Sequence, residues 1–207
     1  MAVLGYSNTG KTTFIEVFTA LAQDAGLSTA VVKYSRHPGD FDRPGSDTHR
    51  FGGTPAQFVA YSGRDGWFLT VPGDTVTNDR DHAGDRDRDR RAGFPAPSDD
   101  RTVDDEFARI PPWLRPLVDS IDILILEGRR LPDSLVCLTT GNVTAPEELK
   151  YPLDLADVVI TASPLISKAT QRPARSENAQ TRPRFTADET AAARVMIDIL
   201  QRKGATT

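Results

Sequence analysis

The chain has 207 residues, 38% hydrophobic and 26% charged, the balance of an ordinary globular protein long enough to bury one proper core. Its formal net charge of -4 leaves no basic excess for neutralising nucleic-acid phosphates, and one cysteine (Cys137) with three scattered histidines speaks against a disulfide framework or a Cys/His metal centre. No apolar run approaches the roughly 18–20 residues that cross a bilayer, and Met1 to Thr13 lacks the regions of a secretory leader, so the expectation is a cytoplasmic, single-domain protein spanning 1–207.

Met1 to Leu4 is a short apolar run ending at Gly5, and a Gly-containing turn follows. Lys11 to Ala25 then reads as a helix, with Phe14, Val17, Phe18, Leu21 and Ala22 at the three- and four-residue spacing of one buried stripe. Gly26 is placed to close it. Ser28 to Lys33, centred on Val31 and Val32, reads as a buried strand. Strand, turn, helix and strand in this order predict a βαβ unit with parallel pairing and a right-handed crossover.

Tyr34 to Gly53 is rich in Gly, Pro, Asp and Arg and reads as loop, with one helical turn near Thr48 to Phe51. Gln57–Tyr61 and Trp67–Val71, separated by Ser-Gly-Arg-Asp-Gly, predict an antiparallel hairpin. Residues 78–101 hold seven Asp and six Arg, with Phe94 the only large apolar side chain. Such a segment buries too little to offset its ordering entropy, so it reads as a disordered charged insertion.

Val103 to Ser120 reads as a helix broken at Pro111-Pro112, and Ile121 to Leu126 as a strongly apolar strand followed by Glu127-Gly128. Leu135–Thr139 and Val158–Thr161 read as further strands, and Gln171–Arg184 as a polar loop. Ala187 to Lys203 closes the chain as an amphipathic helix, with Ala191, Val195, Ile199 and Leu200 (or Met196) on its core side. The alternation predicts a three-layer α/β fold with a mostly parallel sheet.

The chemistry concentrates at Gly5-Tyr6-Ser7-Asn8-Thr9-Gly10-Lys11-Thr12, a full G-x-x-x-x-G-K-[ST] between a strand and a helix. In a P-loop, backbone N–H groups turn inward as an anion nest and the helix N-terminus adds its positive dipole end. Lys11 reaches the β- and γ-phosphates, and the Thr12 hydroxyl is offered to Mg²⁺. Glu127, ending a buried strand, stands where a P-loop protein keeps a carboxylate for the metal or for an attacking water. Lys33 to Gly53 leaves the second strand at the same sheet edge with Lys33, Ser35, His37, Asp40, Asp42, Gly45 and Asp47. In an open α/β sheet ligands bind there, so this cluster is a candidate switch segment, although such a cluster taken alone is more often an ordinary polar loop than a switch.

Together, Gly5–Thr13 (GYSNTGKTT), Lys33–His37 (KYSRH), Asp42–Thr54 (DRPGSDTHRFGGT) and Glu127-Gly128 resemble the molybdopterin-guanine dinucleotide biosynthesis protein B family, MobB, over about residues 2 to 165. The resemblance implies a P-loop NTPase fold and a homodimer that binds GTP with Mg²⁺, hydrolyses it weakly at most, and assists the molybdenum cofactor guanylyltransferase. It implies that Lys11 and Glu127 serve catalysis. Nucleotide binding falls to Gly5, Ser7, Asn8, Thr9, Gly10, Lys11, Thr12, Thr13, Lys33, His37, Asp42 and Asp47, and the metal to Thr12, Asp47 and Glu127.

The chain departs from the family at Tyr34, where a histidine is usual, and at Arg129 and Arg130, where an aromatic residue and a lysine are common. No N-K-x-D guanine-reading motif occurs, and Thr161-Ala162-Ser163-Pro164 is the nearest candidate loop, so guanine preference follows from resemblance alone. Two other P-loop readings remain open. One is a small-molecule kinase, for which no lid is identifiable. The other is a partitioning or metal-delivery ATPase, disfavoured because Tyr6 and Ser7 stand where such proteins often carry an additional lysine.

Overall fold

The computed structural model describes residues 1–35, 44–63, 66–71, 110–163, 166, 184–186 and 188–204. His37, Asp42 and the charged segment 78–101 lie outside the described residues.

The chain opens as predicted, with β1 (Ala2–Gly5), α1 (Lys11–Asp24) and β2 (Thr29–Tyr34). α1 stops where Gly26 takes a φ of 75°. There Leu27 N–H donates to Ala22 O and Gly26 N–H to Gln23 O, the paired closure that a left-handed residue permits. α2 (Asp47–Gly52) follows, its N-terminus capped by the Ser46 hydroxyl, which accepts from His49 N–H. β3 (Val59–Gly63) and β4 (Gly66–Thr70) form the expected antiparallel pair.

Beyond Ile110, the described residues carry α3 (Arg115–Asp119) after the Pro-Pro break. The helix expected over 103–120 is therefore confined to its last turn there, while 103–109 lie outside the described residues. β5 (Ile123–Glu127), β6 (Val136–Thr139) and β7 (Val158–Ile160) occupy the apolar runs. Arg184, expected to end a loop, instead opens the edge strand β8 (Arg184–Thr186), whose three residues are too few for an alternation signal. α4 (Glu189–Gly204) closes the fold.

The eight strands form one sheet in the order β4-β3-β2-β5-β1-β6-β7-β8, parallel throughout except for β3 with β4. Strand alternation divides the core into two layers. Val3, Val31, Ile125, Cys137 and Val158 point to the face covered by α1, α2 and α4, where Phe14, Phe18, Phe51, Ala192 and Met196 are buried. Leu4, Val32, Leu126, Leu138 and Val159 point to the other face, where Leu114, Leu131 and Ile166 pack.

The buried stripes of the helices are rotated from the sequence reading. α1 buries Ile15 and Thr19 beside Phe14, Phe18 and Ala22, with Val17 and Leu21 at the margin. α4 buries Ala192, Ala193, Met196 and Ile197, whereas Val195, Ile199 and Leu200 are only partly covered. The two helices pack on each other as well as on the sheet, so each buries a wider arc than a single 3.6-residue stripe specifies.

Candidate nucleotide site

β1 ends between β5 and β6, and the chain leaves it through α1 to β2 on one side while β6 lies on the other. A crevice opens at such a reversal beyond the carboxyl ends of the strands. Here it is a cleft of about 520 Å³ lined by Ser7 to Thr13, Lys33, Asp47, Arg50 and Glu127.

The P-loop is shaped by backbone that only glycine adopts without strain and by a hydroxyl beneath it. Gly5 has φ 148° and lies opposite Thr139 across the β1–β6 pairing. A Cβ on Gly5 would overlap the Thr139 hydroxyl and sit 2.5 Å from its carbonyl oxygen and 2.7 Å from Thr9 Oγ1. That space lets the Thr9 and Thr139 hydroxyls meet at 2.6 Å, while Thr9 Oγ1 also donates to Tyr6 O at 2.8 Å. Asn8 (φ 59°) and Gly10 (φ 91°) carry the turn into α1, which begins without a side-chain cap. The first N–H groups of a helix have no intrahelical acceptor, so the positive end of α1 opens on the cleft. The Lys11 ammonium donates to Tyr6 O at 2.6 Å, folded back across the loop. Burial holds its pKa below the usual lysine value, against the pull of Glu127.

The second wall is built by strand register. Ser28 N–H and its hydroxyl donate to Asp122 at 2.8 and 2.7 Å, and Asp122 N–H returns to Ser28 Oγ at 2.9 Å. This fastens the start of β2 to the start of β5, at the sheet edge remote from the cleft. Five residues on, Lys33 stands directly opposite Glu127. Both belong to the set that points to the α1 face.

Lys33 Nζ is 3.3 Å from Glu127 Oε2 and donates to Asp47 Oδ2. Asp47 Oδ1 accepts from the Thr12 hydroxyl at 2.8 Å. Burial pushes the Glu127 carboxyl above its ordinary value despite Lys33, because its side chain is only 6% exposed. Burial would raise Asp47 too, but hydrogen bonds from Lys33 and Thr12 outweigh it and hold Asp47 low. For Lys33, burial acts downward and is overcome by Glu127 and Asp47, so its pKa is raised. Glu127 Oε2 is buried and has no hydrogen-bond partner among the described residues.

The structure therefore brings Thr12, Lys33, Asp47 and Glu127 into one contact set on the wall of the P-loop cleft. Arg50, absent from the sequence reading, also lines the cleft. It donates to both Glu16 carboxylate oxygens, Nε at 2.8 Å and Nη2 at 2.6 Å, and so clamps α2 to α1 one turn beyond the Asp47–Thr12 contact. The available signal was its spacing, three residues after Asp47 on the same short helix. Thr139 was likewise missed, since nothing local marks a strand-end threonine as the support of a distant loop.

Residues 1–86 match the family model described as MobB: Molybdopterin guanine dinucleotide synthesis protein B. The matched stretch contains the P-loop, Lys33, Asp47 and Arg50, and Glu127 lies beyond it. No curated protein matches the chain. Among solved structures, a MobB protein homolog from Bacillus stearothermophilus is 19% identical, with 97% of each chain covered and a TM-score of 0.44. MobB from Bacillus subtilis is 19% identical over 95% of this chain and 94% of that one, with a TM-score of 0.45.

Proposed function

We propose, from the match of residues 1–86 to the MobB family model, that this protein is a GTP-binding accessory factor in molybdopterin guanine dinucleotide synthesis. In this reading it works in the cytoplasm as a homodimer of one nucleotide-binding domain per chain, beside the guanylyltransferase that completes the cofactor, and hydrolyses GTP weakly at most. The observation that carries the reading is the P-loop nest opening on a cleft whose far wall is Lys33, Asp47 and Glu127.

The chain's own groups divide the work. Backbone N–H groups of the loop and of the α1 N-terminus donate to the phosphate oxygens. Lys11 leaves the Tyr6 carbonyl for the β- and γ-phosphates, exchanging one acceptor oxygen for a charged one. The donors available to Mg²⁺ suit a hard cation: the Thr12 hydroxyl, the Asp47 carboxylate and the buried Glu127 Oε2, which has no hydrogen-bond partner among the described residues. When bound there, the ion neutralises phosphate charge. Glu127 is also the residue placed to orient a water for slow hydrolysis. Among the described residues the cleft lining shows no second-substrate constellation, and guanylyl transfer needs an acceptor phosphate in line with the α-phosphorus. That is why the transfer step is assigned to a partner.

Calorimetry with GTP and ATP, each with Mg²⁺ and with EDTA, tests the nucleotide reading, with Lys11→Ala as the control. GTP·Mg²⁺ should bind more tightly than ATP·Mg²⁺, and Lys11→Ala should lose most of that affinity while remaining folded. Preferential binding of ATP, or an unchanged dissociation constant in Lys11→Ala, overturns it. The accessory role is tested by mixing molybdenum-loaded molybdopterin, GTP and Mg²⁺ with limiting guanylyltransferase. This protein should raise the dinucleotide yield, and substantial product from it alone would refute the assignment.

A further inference from the structure

The lysine in the cleft wall occupies an unusual position for a phosphate-binding residue. Lys33 lines the cleft, but its ammonium is committed to the wall. It lies between the two carboxylates proposed for the divalent cation, donating to Asp47 and facing Glu127 Oε2 at 3.3 Å. Those carboxylates come from separate elements, the N-terminus of α2 and the end of β5, and among the described residues Lys33 is the cation that both meet. Glu127 is 6% exposed and its Oε2 accepts no hydrogen bond from the described residues, so among them that buried charge is stabilised chiefly by the ammonium beside it.

We propose that Lys33 is an internal counter-cation that holds Asp47 and Glu127 in the nucleotide-free protein and gives them up to the divalent cation. Its ammonium is thereby freed for the phosphates. The inference rests on the nucleotide reading above only for that last movement.

Charge explains why the exchange favours the loaded site. The two carboxylates and Lys33 together carry one net negative charge, which repels a polyphosphate. A divalent cation on the carboxylates cancels them and leaves two lysines, Lys11 and Lys33, uncommitted beside the phosphates. Without a divalent cation Lys33 is tied to the carboxylates, and phosphate meets Lys11 alone. Metal and phosphate thus assist each other through one side chain, which is a coupling between two ligands with a nameable carrier. The Asp47–Thr12 contact belongs to the same exchange, because Asp47 Oδ1 and the Thr12 hydroxyl satisfy each other in the free state.

One substitution should act in opposite directions on the two ligands. Lys33→Met removes the competitor, so binding of Mn²⁺ in the absence of nucleotide, read by electron paramagnetic resonance, should tighten at least tenfold over wild type. In the same protein GTP·Mg²⁺ should bind several-fold more weakly, since a phosphate lysine is lost, and Lys33→Arg should keep Mn²⁺ affinity near wild type. A folded Lys33→Met with unchanged or weaker Mn²⁺ binding overturns the proposal.

Should Lys33→Met fail to fold, amine acetylation of the wild-type protein, quantified by mass spectrometry, reads the same exchange. Lys33 labelling should rise several-fold when Mn²⁺ is added without nucleotide, and constant labelling overturns the proposal. A protein that binds Mn²⁺ in this manner but no GTP would sink the nucleotide reading and leave the counter-cation standing.

Discussion

Replacing Gly5 with alanine tests whether the P-loop is held by space rather than by side-chain contacts of its own. Two costs add. The backbone at φ 148° lies where an L side chain is strained, and such strain costs about 1–3 kcal/mol. The added methyl would also overlap the Thr139 hydroxyl and press on its carbonyl at 2.5 Å and on Thr9 Oγ1 at 2.7 Å. Overfilling a packed site costs about 1–3 kcal/mol more. The expected loss is then about 2–6 kcal/mol, a large share of the roughly 5–15 kcal/mol that holds a domain folded. With a urea slope near 2 kcal/mol/M, the midpoint should fall by about 1–3 M.

The double variant Gly5→Ala/Thr139→Ala isolates the source of the loss. It removes the hydroxyl clash but keeps the carbonyl at 2.5 Å and the backbone strain, so it should recover only part of the stability. Nucleotide affinity should fall in both variants, because the Thr9–Thr139 hydroxyl contact that seats the loop is displaced in one and deleted in the other. A Gly5→Ala protein with a wild-type urea midpoint and unchanged affinity would refute the reasoning. Full rescue by Thr139→Ala would show that the carbonyl contact and the strain cost nothing.

Asp47 has its pKa held below the ordinary 3.8 by Lys33 and Thr12 against the opposing effect of burial. A depressed carboxyl contributes stability above its unfolded value and loses it as pH falls through the folded one. Asp47→Asn should therefore flatten the part of the acid unfolding curve below pH 3.8, and an unaltered acid limb would contradict the contact. Phe18 is fully buried, its ring 5.8 Å from that of Phe14. Phe18→Ala should cost about 3–5 kcal/mol by chemical denaturation, and a loss below 1 kcal/mol would mean that the α1 face is not the core described. Joining Asn78 to Asp99 by a short Gly-Ser link, which removes most of the Asp/Arg segment, should leave the melting temperature nearly unchanged, since loop closure depends weakly on length. A large fall by calorimetry would show that the segment packs.

The sequence by itself determined the P-loop, the helix that follows it and the apolar strands, because each is set by neighbours in the chain. The Gly5 to Thr12 spacing, the 3.6-residue recurrence through Phe14 and Phe18, and the unbroken run at 123–126 are local signals of this kind. It also marked Lys33 and Glu127 as candidates by their placement at strand ends, and Asp47 by its place in the polar segment that leaves the second strand. What the tertiary structure decided is how they meet. Lys33 opposes Glu127 only through the β2–β5 register fastened by Ser28 and Asp122, 94 residues apart in the chain. Thr139 supports Gly5 only because β6 lies beside β1. The buried faces of α1 and α4 followed from packing on each other as well as on the sheet, and Arg184–Thr186 became a strand by pairing with β7. Local spacing fixes backbone conformation and which residue types stand at an edge. Which ammonium meets which carboxylate depends on strand order and register, set by long-range burial that no window of sequence contains.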